Sequence, residues 1–308
     1  WSELGRLPRN PHGHLFPVGG SSSGSGVAAA AGLSTVTIGT DTGGSILSPS
    51  VENGVFGIRP STGLVSTHGH MPVTHAQDTS GPLGRRVRDI AAVLGAMSGG
   101  SALRYVEALD STALAGARIG LALAAVDDDA RDLWADTVGA LQEAGADVVP
   151  LGVRLQTDGV GDPLVPAYDF RTTIGDYFDG LPSDAPVRSF EQLYRHYRDS
   201  DARQQPYGIG NIELSSRLDV DLHRSTRDAL WAREHDDARR VLDGLHARGI
   251  EAVLFPHAAA AYLASKAGYP AIALPAGMRD GGRPFGGTLA SAVPPGGQRL
   301  AGLAGAGG

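Results

Sequence analysis

Two short polar loops hold the residue types best suited to chemistry in this chain. The first, GGSSSGSG at residues 19–26, mixes serines and glycines and runs into VAAAA. The second, GTDTGGS at residues 39–45, ends in Ser45 directly behind Gly43-Gly44. A serine hydroxyl is a weak nucleophile until a neighbouring group takes its proton. A glycine-rich turn can aim successive N–H groups at the oxygen of a tetrahedral intermediate formed on a carbonyl carbon. One helix-like and one strand-like segment (STVTIG) separate the loops, so the two would lie at nearby element ends, where binding sites form. A serine of the first loop could then relay a proton away from Ser45.

Other chemistries fit these residues less well. A Gly/Ser-rich run can be a flexible linker, but a linker does not explain the second loop. Gly24-Ser25-Gly26 followed by Ala29 loosely matches a dinucleotide fingerprint, which needs a strand immediately before it. The preceding RNPHGHLFPVGG is broken by proline and glycine. The same missing strand argues against reading Gly20-Ser21-Ser22-Ser23-Gly24 as a nucleophile elbow. His68, His70, His75 and His257 are scattered without metal-ligand spacing. The chain contains no cysteine, which excludes disulfides, thiolate sites and a Cys nucleophile.

The elements that must position these loops alternate along the chain. Strands are expected at 34–39, 54–58, 117–122, 147–151, 252–255 and 271–274. Helices are expected at 27–31, 86–97, 128–144, 187–198 and 222–247, with Leu133, Thr137, Ala140 and Leu141 forming the inward stripe of the third. Such alternation predicts an α/β fold. The stretch 155–186 reads as a long excursion, and 293–308 as a poorly ordered, low-complexity tail.

With 308 residues, 42% hydrophobic composition and 19% charged residues, the chain has the profile of a globular protein. A net charge of −7 argues against nucleic acid or an anionic membrane as partner. No apolar run reaches the roughly 20 residues of a membrane-spanning helix. Localisation reads as cytoplasmic, with export left open because the chain begins at Trp1.

Beyond these patterns, the chain resembles the amidase signature family of serine amidohydrolases. The resemblance is carried by GGSSSGSGVAAAAG (19–32), GTDTGGSILSP (39–49), GVFGIRPSTGLVS (54–66), HAQDTSGPLGRRVRDIAAVLGAM (75–97) and AGYPAIALPAG (267–277). The triple serine and THAQDTSGP point to the branch containing bacterial peptide amidases. The resemblance implies one α/β/α layered domain over 1–308 around a mixed, twisted sheet. It implies amide hydrolysis through an acyl-enzyme on Ser45, with Ser21 as bridging serine behind a cis peptide. Thr42, Gly43, Gly44 and Ser45 would supply the oxyanion-hole amides. Ser22, Asp41, Tyr168 and Phe170 are candidates for contacting substrate, with Tyr207 a further aromatic. The substrate would be a small-molecule or peptide amide, with no cofactor and no metal. Alternatives are an inactive amidase-like binding or assembly protein and an amidotransferase A-type subunit.

Three departures shape this expectation. The family's base is a lysine several tens of residues before the bridging serine, and no lysine precedes Ser21 here. The single lysine, Lys266, lies in the wrong segment and reads as a surface or helix-end residue. Leu47 stands where many members carry arginine, and the stretch between Pro256 and AGYP is short. The chain therefore reads as an N-terminally truncated amidase, inactive alone for want of its lysine.

Overall fold

In a computed structural model, residues 5–155, 161–200 and 205–295 are described. In chain order the elements are α1 (Ser23–Ala30), β1 (Val36–Asp41), α2 (Leu47–Asn53), β2 (Phe56–Arg59), β3 (Thr79–Gly84), α3 (Val87–Met97) and β4 (Arg118–Leu121). A 3₁₀ turn (Asp128–Ala130) leads into α4 (Arg131–Glu143), β5 (Asp147–Pro150), α5 (Leu164–Asp179), α6 (Phe190–Asp199) and α7 (Gly210–Arg217). The long α8 (Val220–Ala247), β6 (Ala252–Pro256), α9 (Ala261–Ala267), β7 (Ala271–Met278) and β8 (Pro284–Ser291) complete the order.

The strands form one mixed sheet ordered β1-β3-β2-β7-β8-β6-β4-β5. Pairing is antiparallel from β1 through to β6, and β6, β4 and β5 run parallel. Side chains alternate across a strand, so a strand buried on both sides reads as an unbroken apolar run. AVLFP of β6 is such a run. Val253 and Phe255 pack with α2, α8 and α9 on one face. Ala252 and Leu254 pack with α3, and with the half-buried side of α4, on the other. The expected α/β/α layering is therefore present.

Several local expectations need correction. The strands β3 (TSGPLG) and β8 (PFGGTLAS) were not expected, because glycine and proline normally count against a strand interior. Both are buried along their whole length. In β8 the missing side chains allow close approach: a Cβ on Gly286 would fall 2.6 Å from the Leu274 carbonyl oxygen. In α4 the inward stripe is Trp134, Val138 and Leu141, one position on from most of the expected stripe, and Ala140 is exposed. The expected excursion at 155–186 contains α5, and its residues 156–160 lie outside the described residues, as do residues 296–308 of the expected tail.

The helices α5 to α7 form a separate layer with their own apolar clusters around Phe178 and Tyr168. A buried polar contact ties this layer to the loop before β3: the Thr74 hydroxyl donates to Asp169 of α5. Asp169 also receives the Arg227 guanidinium of α8, at 2.6 Å for both Nε and Nη2.

Helix α1 lies against α2 through Gly26, where a Cβ would sit 2.9 Å from the Pro49 carbonyl oxygen. A Cβ on Gly24, in the same helix, meets nothing within 4 Å. Gly26→Ala is expected to destabilise the protein by about 1–3 kcal/mol through overpacking. Gly24→Ala should be neutral or stabilise by up to about 1 kcal/mol, since alanine favours helix. Urea unfolding midpoints of the two variants check this.

Candidate active site

The serine-rich loop and the Gly-Gly-Ser loop meet. The Ser22 amide donates to the Ser45 carbonyl oxygen at 3.1 Å, stitching the start of α1 to the turn between β1 and α2. Three of the first loop's serines are occupied with backbone. Strand β1 is a sheet edge paired only with β3, which leaves backbone groups on its outer side unpaired within the ladder. The Ser22 hydroxyl donates to the Thr40 carbonyl at 2.9 Å and accepts from the Thr40 amide at 3.1 Å. Ser25 donates to the Ile38 carbonyl at 2.7 Å, and Ser23 donates to the Gly19 carbonyl at 2.6 Å. Ser22 is thus held to the edge strand.

Ser21 is different. The peptide bond Gly20–Ser21 is cis, and the residue is exposed. Among the described residues, neither the Ser21 nor the half-buried Ser45 hydroxyl has a hydrogen-bond partner. The two serines singled out for chemistry are those whose hydroxyls the fold leaves uncommitted.

The second loop is held by a buried charge. Asp41, 1% exposed, accepts the Gly44 amide at 2.8 Å on Oδ1 and the Ile46 amide at 2.7 Å on Oδ2. Arg59 of β2, fully buried, donates through Nη1 to the Asp41 carboxylate and to its carbonyl, both at 2.9 Å. Asp41 therefore shapes the loop from inside and is no substrate contact. The same bond corrects the expected set of oxyanion donors. The Gly44 N–H is committed to Asp41, whereas the amides of Thr42, Gly43 and Ser45 have no acceptor among the described residues. Gly44 serves the turn itself: its φ is +106°, and a Cβ there would lie 2.7 Å from that of Ala261.

Residues just before β3 hold the loop from the other side. Gln77 Nε2 donates to the Thr42 carbonyl at 2.9 Å, and the Thr42 hydroxyl donates to Asp78 at 2.6 Å. Asp78 also accepts the amides of Val73 and Thr74. Burial pushes its carboxyl above the ordinary carboxylate range, against the lowering effect of these hydrogen bonds. Arg59, Gln77 and Asp78 all lie in the quoted sequence motifs, yet nothing in their spacing marked them as supports of the Ser45 loop.

The aromatic candidates lie elsewhere. Tyr168 is buried, its hydroxyl donating to the Val220 carbonyl at 3.1 Å, and Phe170 packs edge-on against Phe190. Both belong to the helical clusters, because their apolar rings fill the space between α5 and its neighbours. Tyr207 is 72% exposed. Lys266 does end a helix, α9, but it is no surface residue. It is fully buried, with Nζ 2.7 Å from Glu234 Oε2 and 3.0 Å from Gln77 Oε1. Burial pushes its amine below the ordinary lysine value, while Glu234 pulls it back up.

Serine loops stitched together at one end of a mixed α/β/α sheet match a known class of proteins. Residues 4–261 match the amidase family, and the chain belongs to that family. An amidase family protein from Bacillus anthracis has the same fold, with a TM-score of 0.88 and 28% identity over 97% of this chain and 61% of that one. The peptide amidase from Stenotrophomonas maltophilia superimposes with a TM-score of 0.82 and 31% identity, covering 99% of this chain and 68% of its own. A probable amidase of Arabidopsis thaliana is 26% identical over 304 residues, 93% of this chain and 59% of its length. The chain thus spans under two thirds of the length of this curated relative. Among the described residues, no helix is long and apolar enough to cross a membrane.

Two outcomes test this description. Arg59→Met leaves the Asp41 carboxylate buried without its cation, which should cost about 3–5 kcal/mol in urea unfolding. Because Asp78 binds its proton more tightly folded than unfolded, its stabilisation is complete below about pH 4 and is lost as pH rises through its raised pKa. Asp78→Asn, whose oxygen can accept the Val73 and Thr74 amides while its NH₂ donates to the Thr42 hydroxyl, should flatten that limb of the stability profile.

Proposed function

We propose that this chain is the serine-loop body of an amidase that hydrolyses a carboxamide C–N bond through an acyl-enzyme on Ser45. The reading rests on one observation above the rest: the Ser22–Ser45 backbone bond holds the loops together while leaving the Ser21 and Ser45 hydroxyls uncommitted. Ser45 Oγ attacks the amide carbonyl carbon and passes its proton to Ser21. Ser21 passes its own proton to a neutral lysine supplied by residues outside 1–308. The oxyanion is met by the free amides of Thr42, Gly43 and Ser45, aimed before the reaction begins. Collapse of the tetrahedral intermediate breaks the C–N bond, and the leaving amine or ammonia takes up the relayed proton. Water then attacks the acyl-enzyme with the same groups in reverse roles, releasing a carboxylic acid and restoring Ser45. This route draws on no cofactor.

The substrate class is a peptide or small-molecule amide. Likeness to the peptide amidase along nearly the whole chain supports the peptide form. The net charge of −7 weighs against a role on charged tRNA.

On this reading, residues 1–308 alone neither react with a fluorophosphonate at Ser45 nor turn over a simple aromatic amide at enzymatic rates. A longer form carrying the lysine does both. In that form Ser45→Ala abolishes acyl-enzyme formation and Ser21→Ala slows it, on the order of 10²–10⁴-fold for a lost proton-transfer partner. Ordinary turnover by 1–308 would remove the external lysine from the mechanism. Unchanged activity in Ser45→Ala would remove the nucleophile, and a longer form without labelling or turnover would favour an inactive binding protein.

A further inference from the structure

The only lysine of the chain is sealed inside it, one hydrogen-bonded residue away from the Ser45 loop. Lys266 Nζ donates to Gln77 Oε1 at 3.0 Å, and Gln77 Nε2 donates to the Thr42 carbonyl at 2.9 Å. Lys266 is fully buried and Gln77 is 1% exposed, so water does not compete for either bond. A second, main-chain bond fixes where Gln77 sits: Arg59 Nη2 donates to the Gln77 carbonyl at 2.8 Å.

The order of groups in this chain of bonds has a consequence. A carboxamide has one donor end and one acceptor end, and an ammonium offers donors only. A charged Lys266 therefore forces the Gln77 oxygen towards itself and the Gln77 NH₂ towards Thr42. The flipped amide would set a donor against a donor at one end and two oxygens together at the other. The Thr42–Gly43 peptide is trans, since the cis bond among the described residues is Gly20–Ser21. In a planar trans peptide the C=O and the following N–H point in opposite directions. Gripping the Thr42 carbonyl from the interior thus turns the Gly43 N–H away from it, and that amide has no acceptor among the described residues.

The environment of Lys266 suits this task. Glu234 Oε2 lies 2.7 Å from Nζ, and the Trp231 ring centroid lies 5.2 Å away. Glu234 is itself anchored, its Oε1 accepting the Asp162 amide at 2.7 Å. The carboxylate and the ring face both favour a cation, acting against the burial that holds the amine below its ordinary value.

We propose that Lys266 is a positioning residue for the Gly43 amide, acting through Gln77 to aim an oxyanion donor. Its catalytic meaning rests on the acyl-enzyme reading of Ser45, while its structural content does not. Lys266 touches neither serine in this arrangement and does not replace the family's base.

The test separates the two. Residues 1–308 with ¹⁵N-glycine report Gly43, Gly44, Gly39 and Gly81 in one spectrum. Lys266→Met combined with Glu234→Gln removes the ammonium without stranding a buried charge and keeps the acceptor for Asp162. The Gly43 order parameter should fall from about 0.85 to below about 0.6. Gly44, held by Asp41, and Gly39 and Gly81 in the sheet should stay rigid. Gln77→Glu keeps an acceptor for Lys266 but turns an oxygen on the Thr42 carbonyl, and should loosen Gly43 alone in the same way. A rigid Gly43 in both variants would overturn the proposal, as would equal loosening of all four glycines. In a form that reacts with a fluorophosphonate, the maximal labelling rate should drop about tenfold, as for one lost hydrogen bond, with half-saturation unchanged. If the unaltered protein never reacts at Ser45 in any form, the acyl-enzyme reading fails while the glycine result still judges the Lys266–Gln77 link.

Discussion

The buried ion pair between Asp41 and Arg59 is the constraint on which the site depends. Asp41 ends β1, and its carboxylate takes two amides of the loop that follows, folding that loop back on itself before α2 begins. A carboxylate sealed from water needs a cation, and Arg59 brings one from β2, two places across the sheet. Its second nitrogen reaches the Gln77 carbonyl, so one guanidinium ties the loop to β2 and to the residues that lead into β3. The orientation of the Ser45 turn is thereby a property of the sheet, not of a free loop.

The sheet in turn depends on small residues. Helices press on both faces, and the central strands β7 and β8 are closely spaced partners that leave little room for side chains. Close approach of the layers brings α9 against the serine loop, where Gly44 meets Ala261 and Lys266 reaches Gln77. Helices α5 and α8 close over the same region through Asp169, Arg227 and Glu234. The region of the Ser45 turn is thus held from the sheet, from α9 and from the covering helices.

Much of this organisation could be read from the residues. Strands with unbroken apolar runs, such as AVLF, were placed correctly, and so were α3 and α8, because their patterns report burial directly. The strands β3 and β8 escaped, since TSGPLG and PFGGTLAS carry the marks of turns; their neighbours' crowding, which the residues do not advertise, makes them strands. Asp41 was a candidate substrate contact, yet its partner Arg59 lies eighteen positions on. The concentration of serines likewise had a reason outside the loop: Ser22 and Ser25 satisfy an exposed strand edge that only folding creates.

By itself the sequence determined the layered α/β class, the family, and the two loops that carry Ser21 and Ser45. The class follows from periodicity, the loops from residue types that sit close together along the chain, and the family from the resemblance of short contiguous motifs. Only the tertiary structure decided which hydroxyls and amides remain free, because that depends on partners brought from distant segments. Gly44 loses its amide to Asp41, three serines are spent on backbone, and Lys266 is drawn inside by Glu234, Trp231 and Gln77. Hydrogen bonds and buried charges demand their partners in space, and spacing along the chain does not encode them.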